Sequence, residues 1–221
     1  MHENTGGAGG FHEGVKRAYE KGYDWLWLMD DDGKPDINAL KNLFKTLKIN
    51  QNIKVLNCIV LNKNNPKETA FPIPIKKHFG RYEHTYFLQK IKLSSRNGLF
   101  PWGCFFNGVL INSEVVKKIG YPKKEFFIWG DEVDYFFRVK KEYEVYIDLK
   151  AKHYHPKNRA SNKEFSWKSY YVFRNSLYIA WKYYNFKCLR VLKILIEGFA
   201  FFLKNKKISL FFKGIKECLT L

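Results

Sequence analysis

The chain has 221 residues, 46% of them hydrophobic and 18% aromatic, which excludes a disordered protein and allows one large domain or two small ones. Thirty-nine lysines and arginines against 21 acidic residues give a formal net charge of +18. This excess predicts attraction to polyanions: nucleic acid, an anionic membrane surface or a phosphorylated small molecule. The four cysteines include no CxxC pair, which argues against a zinc site or a disulfide framework and favours a reducing cytosol.

The first half of the chain alternates helix and strand signals. Apolar residues at helical spacing predict an opening helix that ends at Gly22, and the run YDWLWLM predicts a short buried strand. Asp36 is placed to cap a second helix. That helix would carry one apolar stripe, made by Ile37, Leu40, Leu43, Phe44 and Leu47. The order helix, strand, loop, helix predicts an α/β fold.

The second half continues in the same way after one interruption. A buried strand is predicted at 54–61, followed by a long, irregular, proline-bearing excursion over 62–100. The motif GVLI predicts another strand, which leads into a helix ending at Gly120, and the next helix begins at Asp131. Strict alternation in VYIDLKAKHYH then predicts a strand that carries His153 and His155 on its inward, apolar face.

Three adjacent aspartates follow the first strand. Asp30 and Asp32 flank Asp31, and alternate residues at a strand end share a side. Two carboxylates in this arrangement suit Mn²⁺ or Mg²⁺, which bind oxygen ligands and often a phosphate as well. The alternative is an ordinary turn in which Asp32 and Gly33 bend the chain and the other carboxylates are solvated.

The HxH pair is a second set of candidate metal ligands. His153 and His155 could share a metal with the aspartates, and His155 is preferred because it lies nearer the strand end. A buried histidine with an ordinary role in the core is the alternative.

Acidic residues also gather at the start of the helix in FFIWGDEVDYFFR. Asp131 can cap this helix and Asp134 can pair with Arg138, whereas Glu132 has no evident structural task. A carboxylate beside aromatic residues has a raised pKa and can serve as a general base. Glu132 is therefore the stronger candidate for that role, with Asp131 as its competitor.

Two further segments allow two interpretations each. GGAGG, which holds Gly7, Gly9 and Gly10, could present bare backbone to a phosphate or form a flexible tail. The C-terminal segment 185–221 carries eight basic and two acidic residues between apolar runs. It could lie on an anionic bilayer or form a solvated helical cap.

Several motifs in sequence resemble the inverting family 2 glycosyltransferases of the galactofuranosyl- and rhamnosyltransferase type. They are NTGGAGGFHEGVKRA, YDWLWLMDDDGKPDINAL, WGCFFNGVLINSEVVKKIGYPKKEFFIWGDEVDYFFR, HYHP and YYVFRNSLY. The resemblance implies a GT-A-like mixed sheet flanked by helices over residues 1–184. A basic, amphipathic helical segment follows at 185–221.

The resemblance also implies roles for particular residues. Asp30 and Asp32 would bracket a divalent metal and the donor diphosphate, with His155, or His153 after a shift of two, as a further ligand. Glu132 would be the base, with Asp131 as the alternative because the family's usual aspartate is a glutamate here. The positions expected to contact donor or substrate are Asp31, Gly7, Gly9, Gly10, Trp102, Gly108, Trp129 and Arg174. The role of the RN pair that begins at Arg174 does not follow from the sequence.

The implied function is sugar transfer from a nucleotide-diphosphate donor to a cell-surface polysaccharide or lipid-linked acceptor, at the inner face of the plasma membrane. Family members carry about half a domain before the GGAGG motif, so we expect this chain to lack that part of the fold. One alternative is that an oligomer or a second chain completes the domain. The other is that the chain is an inactive remnant or a membrane-associated binding module of the same fold. A nucleic-acid partner is not expected, because the basic residues are spread along the chain without a known reader motif.

Overall fold

The computed structural model describes residues 3–77, 82–157 and 164–221. The chain divides into two compact units, which are described separately. Unit 1 comprises Met1–Gly14, Tyr121–Phe137 and Ser161–Leu221, and unit 2 comprises Val15–Gly120 and Arg138–Ala160.

The described residues form eight strands and eight α-helices. The strands are β1 (Trp25–Met29), β2 (Lys34–Pro35), β3 (Val55–Asn62), β4 (Asn65–Lys76), β5 (Tyr82–Phe87), β6 (Leu99–Phe100), β7 (Asn107–Asn112) and β8 (Val145–His155). The helices are α1 (Gly6–Glu20), α2 (Ala39–Ile49), α3 (Leu88–Leu93), α4 (Ser113–Ile119), α5 (Asp131–Glu142), α6 (Trp167–Tyr183), α7 (Lys187–Lys204) and α8 (Ile208–Cys218). A short 3-10 helix, Lys124–Phe126, precedes α5.

The strands of unit 2 form one mixed sheet. Its neighbours follow the order β1-β7-β3-β4-β5, while β8 lies beside β3 and pairs with the short strands β2 and β6. β3 and β8 are parallel, and the other strand pairs of the described residues are antiparallel. All residues of β3 are buried, as expected for a strand covered on both faces. The predicted mixed α/β sheet is confirmed.

Helix α2 packs its apolar side on this sheet. Ala39, Leu43 and Leu47 form a buried cluster with Leu56 of β3 and Leu110 of β7. The three helix positions are spaced by four residues, so they share one face of the helix. Because the cluster holds α2 on the sheet, it fixes the C-terminal end of the loop that joins β1 to α2.

The start of α2 differs from the prediction. The helix begins at Ala39, and the Asp36 carboxylate accepts a hydrogen bond from the Asn38 N–H instead of capping the helix. Asp36 is also held by β8, because its N–H donates to the Lys152 carbonyl. Ile37, expected in the apolar stripe, is 96% exposed, since it precedes the helix and does not follow its periodicity.

The expectation of an irregular excursion over 62–100 is wrong for most of that segment. β4 and β5 form an antiparallel ladder and α3 follows directly, while residues 78–81 lie outside the described residues. The prolines indicated a break because proline cannot donate to a ladder. A register shift between Glu68 and Ile73 separates two paired stretches of β4, so the strand continues past Pro72.

Helices α7 and α8 of unit 1 pack against one phenylalanine of α6. The Phe173 ring on α6 lies 5.3 Å from the Phe202 ring on α7 and 5.2 Å from the Phe211 ring on α8. Gly198 and Gly214 face the same ring so closely that an added Cβ would meet it at 2.4 and 2.8 Å. The predicted division after residue 184 falls inside unit 1, between α6 and α7.

We expect Leu43→Ala to lower the free energy of unfolding by about 2–5 kcal/mol, because Leu43 is fully buried and its truncation leaves a cavity. The control is Ile49→Ala at the end of the same helix, where the side chain is 83% exposed. That change should stay within about 0.5 kcal/mol. Urea unfolding followed by circular dichroism measures both, and equal losses would contradict the described packing of α2.

Candidate functional site

A two-residue strand brings the acidic triplet to the end of β8. β1 ends at Met29, and the triplet Asp30–Asp32 follows at once. β2 then pairs antiparallel with β8, with Lys34 opposite Tyr154 and Pro35 opposite His153. This register leaves the triplet beside His155, the last residue of β8.

Among the described residues, Asp30, Asp32 and His155 form a cluster that could hold a metal ion. One ligand atom from each lies within 4.8 Å of the others. The Asp32 Oδ1 is 2.8 Å from the His155 Nε2. The imidazole is 10% exposed and the Asp32 carboxylate 56% exposed, so the cluster opens to solvent on its carboxylate side.

The second nitrogen of His155 has its own partner. Nδ1 lies 2.6 Å from the Pro156 carbonyl, which can only accept, so Nδ1 carries hydrogen. The neutral tautomer therefore keeps its lone pair on Nε2, toward the two aspartates. A metal-ligating histidine commonly has such a backbone carbonyl on its other nitrogen. Two carboxylates and one imidazole in this arrangement fit Mn²⁺ or a similar divalent cation.

His153 is buried behind this cluster and is not part of it. Its ring is fully buried, and neither nitrogen has a hydrogen-bond partner in the described structure. Burial, together with a smaller effect of His155, lowers its pKa to about 4 against the opposing effect of Asp32, so the ring is neutral at pH 7. The structure thus groups His155, and not His153, with the aspartates.

Two glycines make room for the His153 ring. A Cβ on Gly33 would lie 2.1 Å from Nε2, and a Cβ on Gly108 would lie 3.3 Å from Cγ. Gly108 has a φ of +81°, which also favours glycine. Gly108 therefore packs against His153, and its expected place in a wall of the sugar site stays a prediction. Gly33, which follows the three aspartates and has no side chain, lets the loop pass directly over β8.

Asp31 and Trp102 are the next two residues expected to contact donor or substrate, and Asp31 is not a member of the cluster of candidate metal ligands. Asp31 is exposed. Trp102 is half-buried, and the Lys140 Nζ lies 4.4 Å from its ring centre, within range of a cation–π interaction. Their expected contacts with donor or substrate stay predictions.

In unit 1, α5 begins with the two candidate bases. Asp131 is 5% exposed, and Glu132 is half-buried. The Glu132 Oε2 accepts a hydrogen bond of 2.8 Å from the Gly130 N–H. Burial raises the pKa of Glu132 although the hydrogen bonds from Asp131 and Gly130 lower it. A carboxyl group with a raised pKa at a helix N-terminus can accept a proton near neutral pH.

The residues before α5 have unusual backbone angles. Phe127 and Trp129 have φ values of +66° and +64°, and Gly130 has +92°. For a non-glycine residue such a conformation costs about 1–3 kcal/mol, so surrounding contacts must maintain it. Trp129 is 39% exposed, so its ring is available to a ligand, as its predicted contact with substrate requires.

Arg174 contributes to maintaining this segment. Its Nη2 donates to the Glu125 carbonyl at 2.7 Å and to the Phe126 carbonyl at 3.0 Å. The side chain is buried, so its guanidinium serves the protein backbone, while the predicted contact with donor stays untested. No local sequence signal indicates these bonds, because the partners lie almost 50 residues apart along the chain.

The glycine-rich segment is helical. α1 begins at Gly6, which rules out a flexible tail over Gly6–Gly10. The Ala8 N–H donates to the Phe127 carbonyl, and an added Cβ on Gly6 would lie 2.0 Å from that oxygen. Gly7 and Gly10 are exposed on the helix, while Gly9 is buried beside Thr5. Their expected role in binding a phosphate stays a prediction.

Helix α7 has a second apolar face besides the one that packs on α6. Its exposed members recur every three or four residues: Leu189, Leu192, Ile196, Phe199 and Leu203. We call this stripe the outer face of α7. Within the described residues, no helix combines the length and apolarity needed to cross a bilayer.

The fold defines a class of protein. The structure is similar to the crystal structure of GalNAc-T7 with UDP, GalNAc and Mn²⁺, with a TM-score of 0.50 and 12% identity over 98% of this chain and 44% of that chain. The chain therefore has the GT-A glycosyltransferase fold, as the motifs indicated.

The sequence is similar to particular members of that class. Galactofuranosyltransferase GlfT1 of Mycolicibacterium smegmatis is 33% identical over 132 residues, which cover 59% of this chain and 43% of that protein. GlfT1 of Mycobacterium tuberculosis is 32% identical over 133 residues, or 59% of this chain and 42% of that protein. The chain thus spans less than half the length of these relatives. No protein-family model matches it.

We expect Asp32→Asn to weaken Mn²⁺ binding at least about tenfold, because it removes a charged ligand from the cluster. Asp31→Asn is the matched control: it removes the same charge one residue away, outside the cluster. Electron paramagnetic resonance detects free Mn²⁺, so it measures the Mn²⁺ affinity of both variants without any substrate. Equal weakening by the two changes would contradict a specific site.

Proposed function

We propose that the chain is a glycosyltransferase that moves a galactofuranose- or rhamnose-like sugar from a nucleotide-diphosphate donor to a growing polysaccharide or lipid-linked acceptor. The observation that carries the proposal is the cluster of Asp30, Asp32 and His155 in a GT-A fold. The similarity to galactofuranosyltransferases supports the proposed kind of sugar. The GalNAc-T7 structure, which contains UDP and Mn²⁺, supports a nucleotide-diphosphate donor and a divalent metal.

The candidate metal ligands and the candidate base would have different roles in this chemistry. Asp30, Asp32 and His155 would hold a divalent cation, which when bound neutralises the charge that develops on a departing diphosphate. Glu132 takes the proton from the acceptor hydroxyl. That oxygen forms a bond to the anomeric carbon as the bond from this carbon to the diphosphate breaks. A single displacement of this kind inverts the anomeric centre.

Glu132 is preferred to Asp131 as the base for two reasons. Glu132 is half-buried as a residue, whereas Asp131 is almost entirely buried. Its pKa is raised by burial, which makes it a stronger base than an exposed carboxylate once ionised.

We expect Glu132→Gln to reduce turnover of UDP-galactofuranose or dTDP-rhamnose in the presence of Mn²⁺ by about 10²–10⁴-fold. Glu125→Gln, which removes an exposed carboxylate seven residues earlier, should leave the rate unchanged. Because the base must be ionised, the wild-type kcat/KM should rise with pH through a pKa above that of an ordinary glutamate.

Full activity of Glu132→Gln would exclude it as the base, and loss only in Asp131→Asn would transfer the role to Asp131. Calorimetry with the same donors tests the alternative of a non-catalytic binding module. Saturable binding without turnover by the wild-type chain would favour the module over the enzyme. A second copy or a completing chain stays a prediction.

The outer face of α7 supports attachment to the cytoplasmic face of the plasma membrane, near a lipid-linked acceptor. The segment 185–221 that contains it has eight basic residues and only Glu197 and Glu217 as acids. An apolar helix face beside basic residues binds anionic bilayers by burying side chains and by attracting lipid headgroups.

We expect the triple change Leu192→Ser, Ile196→Ser and Leu203→Ser to weaken binding to vesicles of phosphatidylserine and phosphatidylcholine at least about tenfold. The control replaces three exposed apolar residues of unit 2 in the same way: Ile37, Ile49 and Leu93. Co-sedimentation measures both proteins, and wild-type binding should fall as salt is raised. Unchanged binding by the α7 variant would contradict the assignment of this face.

A further inference from the structure

Five consecutive carbonyls before α5 are each bound by a donor of unit 1. Arg174 binds the Glu125 and Phe126 carbonyls, and the Ala8 N–H binds that of Phe127. The carbonyls of Ile128 and Trp129 both accept from Asn175. A loop whose every carbonyl is bound cannot rotate a peptide without breaking a hydrogen bond.

Asn175 is the central donor of this set. Its fully buried Nδ2 contacts the carbonyls of Phe126, Ile128 and Trp129 at 3.1, 3.0 and 2.7 Å. Its Oδ1 accepts from the Arg174 Nε at 2.9 Å. Arginine offers only donors, so this bond fixes which end of the amide faces the loop. A rotated amide would place Oδ1 against three carbonyl oxygens.

The shortest of these bonds reaches the peptide unit that orients Glu132. The Trp129 carbonyl and the Gly130 N–H belong to one planar peptide group and point in opposite directions. Asn175 binds the carbonyl at 2.7 Å, and the N–H donates to the Glu132 Oε2 at 2.8 Å. Holding one end of the peptide therefore aims the other end at the carboxylate.

We propose that Asn175 is a positioning residue for Glu132, acting through the peptide group between Trp129 and Gly130. The inference rests on the proposed role of Glu132 as the base. It gives the RN pair a function: Arg174 orients the amide, the amide orients the peptide, and the peptide orients the carboxylate.

The backbone conformation explains why this restraint is needed. Trp129 has a φ of +64°, which an L-residue adopts only when contacts hold it there. At Gly130 an added Cβ would lie 2.8 Å from the Ile179 Cδ1 of α6, so the loop lies close against that helix. Without the Asn175 donor, the peptide could relax and withdraw its N–H from Glu132.

The charged groups and hydrogen bonds around Glu132 determine in which direction its pKa changes when the Gly130 bond is lost. Asp131 hydrogen-bonds Glu132 from the same helix, and on α6 Arg174 binds carbonyls while Lys182 lies 3.6 Å from Asp134. The Gly130 N–H favours the ionised carboxylate and lowers the pKa that burial raises. Losing this bond should therefore raise the pKa of Glu132 further.

We expect Asn175→Ala to move the Glu132 titration upward by about one pH unit, measured by NMR of ¹³C-labelled glutamate carboxyls. Glu132→Gln assigns the signal. The acid limb of kcat/KM should move by a similar amount in the same direction. The matched control is Asn205→Ala, which also removes one Nδ2 donor to a backbone carbonyl in unit 1, that of Phe201.

Arg174→Lys is a gentler variant for the case in which Asn175→Ala does not fold. It keeps the positive charge and Asn175 but removes the bond that fixes the amide, and it should give a smaller upward shift. An unchanged Glu132 titration in a folded variant of either residue overturns the proposal, as does an equal shift in Asn205→Ala. If Glu132→Gln stays active, the proposed base fails instead, while the NMR titration still decides whether Asn175 orients the carboxylate.

Discussion

The pairing of β2 with the end of β8 is the constraint on which the metal cluster depends. Only two residues make the pair, yet they hold the loop of three aspartates against His155. β8 is itself fixed by a parallel pairing with β3, whose residues are all buried. The positions of the ligands are therefore set by backbone hydrogen bonds within a buried sheet, although the Asp32 carboxylate is more than half exposed. Such preorganisation matters because two carboxylates at about 4 Å repel by roughly 4 kcal/mol near a protein surface. A flexible loop would separate them.

His153 shows what this close approach requires. Its ring fills the space between Gly33 and Gly108, and its nitrogens have no partner in the described structure. Burying an unpaired polar atom costs about 1–3 kcal/mol. The ring stays neutral, so no charge is buried with it. The side chain of His153 and that of His155, two residues later, leave β8 on the same face.

The sequence predicted most elements of the sheet and the members of the metal cluster, because both depend on local patterns. The apolar run of β3 and the alternation in β8 have periods that identify strands, and three adjacent aspartates are conspicuous in any chain. The same alternation places His153 and His155 inward together, and the preference for His155 rests only on its position nearer the strand end. The packing of Gly33 over the His153 ring has no signal in that pattern. The prediction of an irregular segment at 62–100 is wrong because its prolines indicate a break in the strand. In the structure, a register shift between Glu68 and Ile73 lets β4 continue past Pro72. The bonds of Asn175 left no local signal, because their partners are 46 to 49 residues away along the chain.

In both units the group that would perform chemistry is more accessible than a polar side chain buried near it. Asp32 and Glu132 are exposed or half-buried, whereas His153 and Asn175 are fully buried. The acidic residues also have close local partners: Asp32 lies 2.8 Å from His155, Asp134 lies 3.6 Å from Lys182, and Asp131 and Glu132 lie in the first turn of α5. An acidic side chain that only balanced a net charge of +18 could lie anywhere on the surface and need no such fixed partner. The concentration of acid in a basic chain therefore marks the places where negative charge is held in a defined geometry.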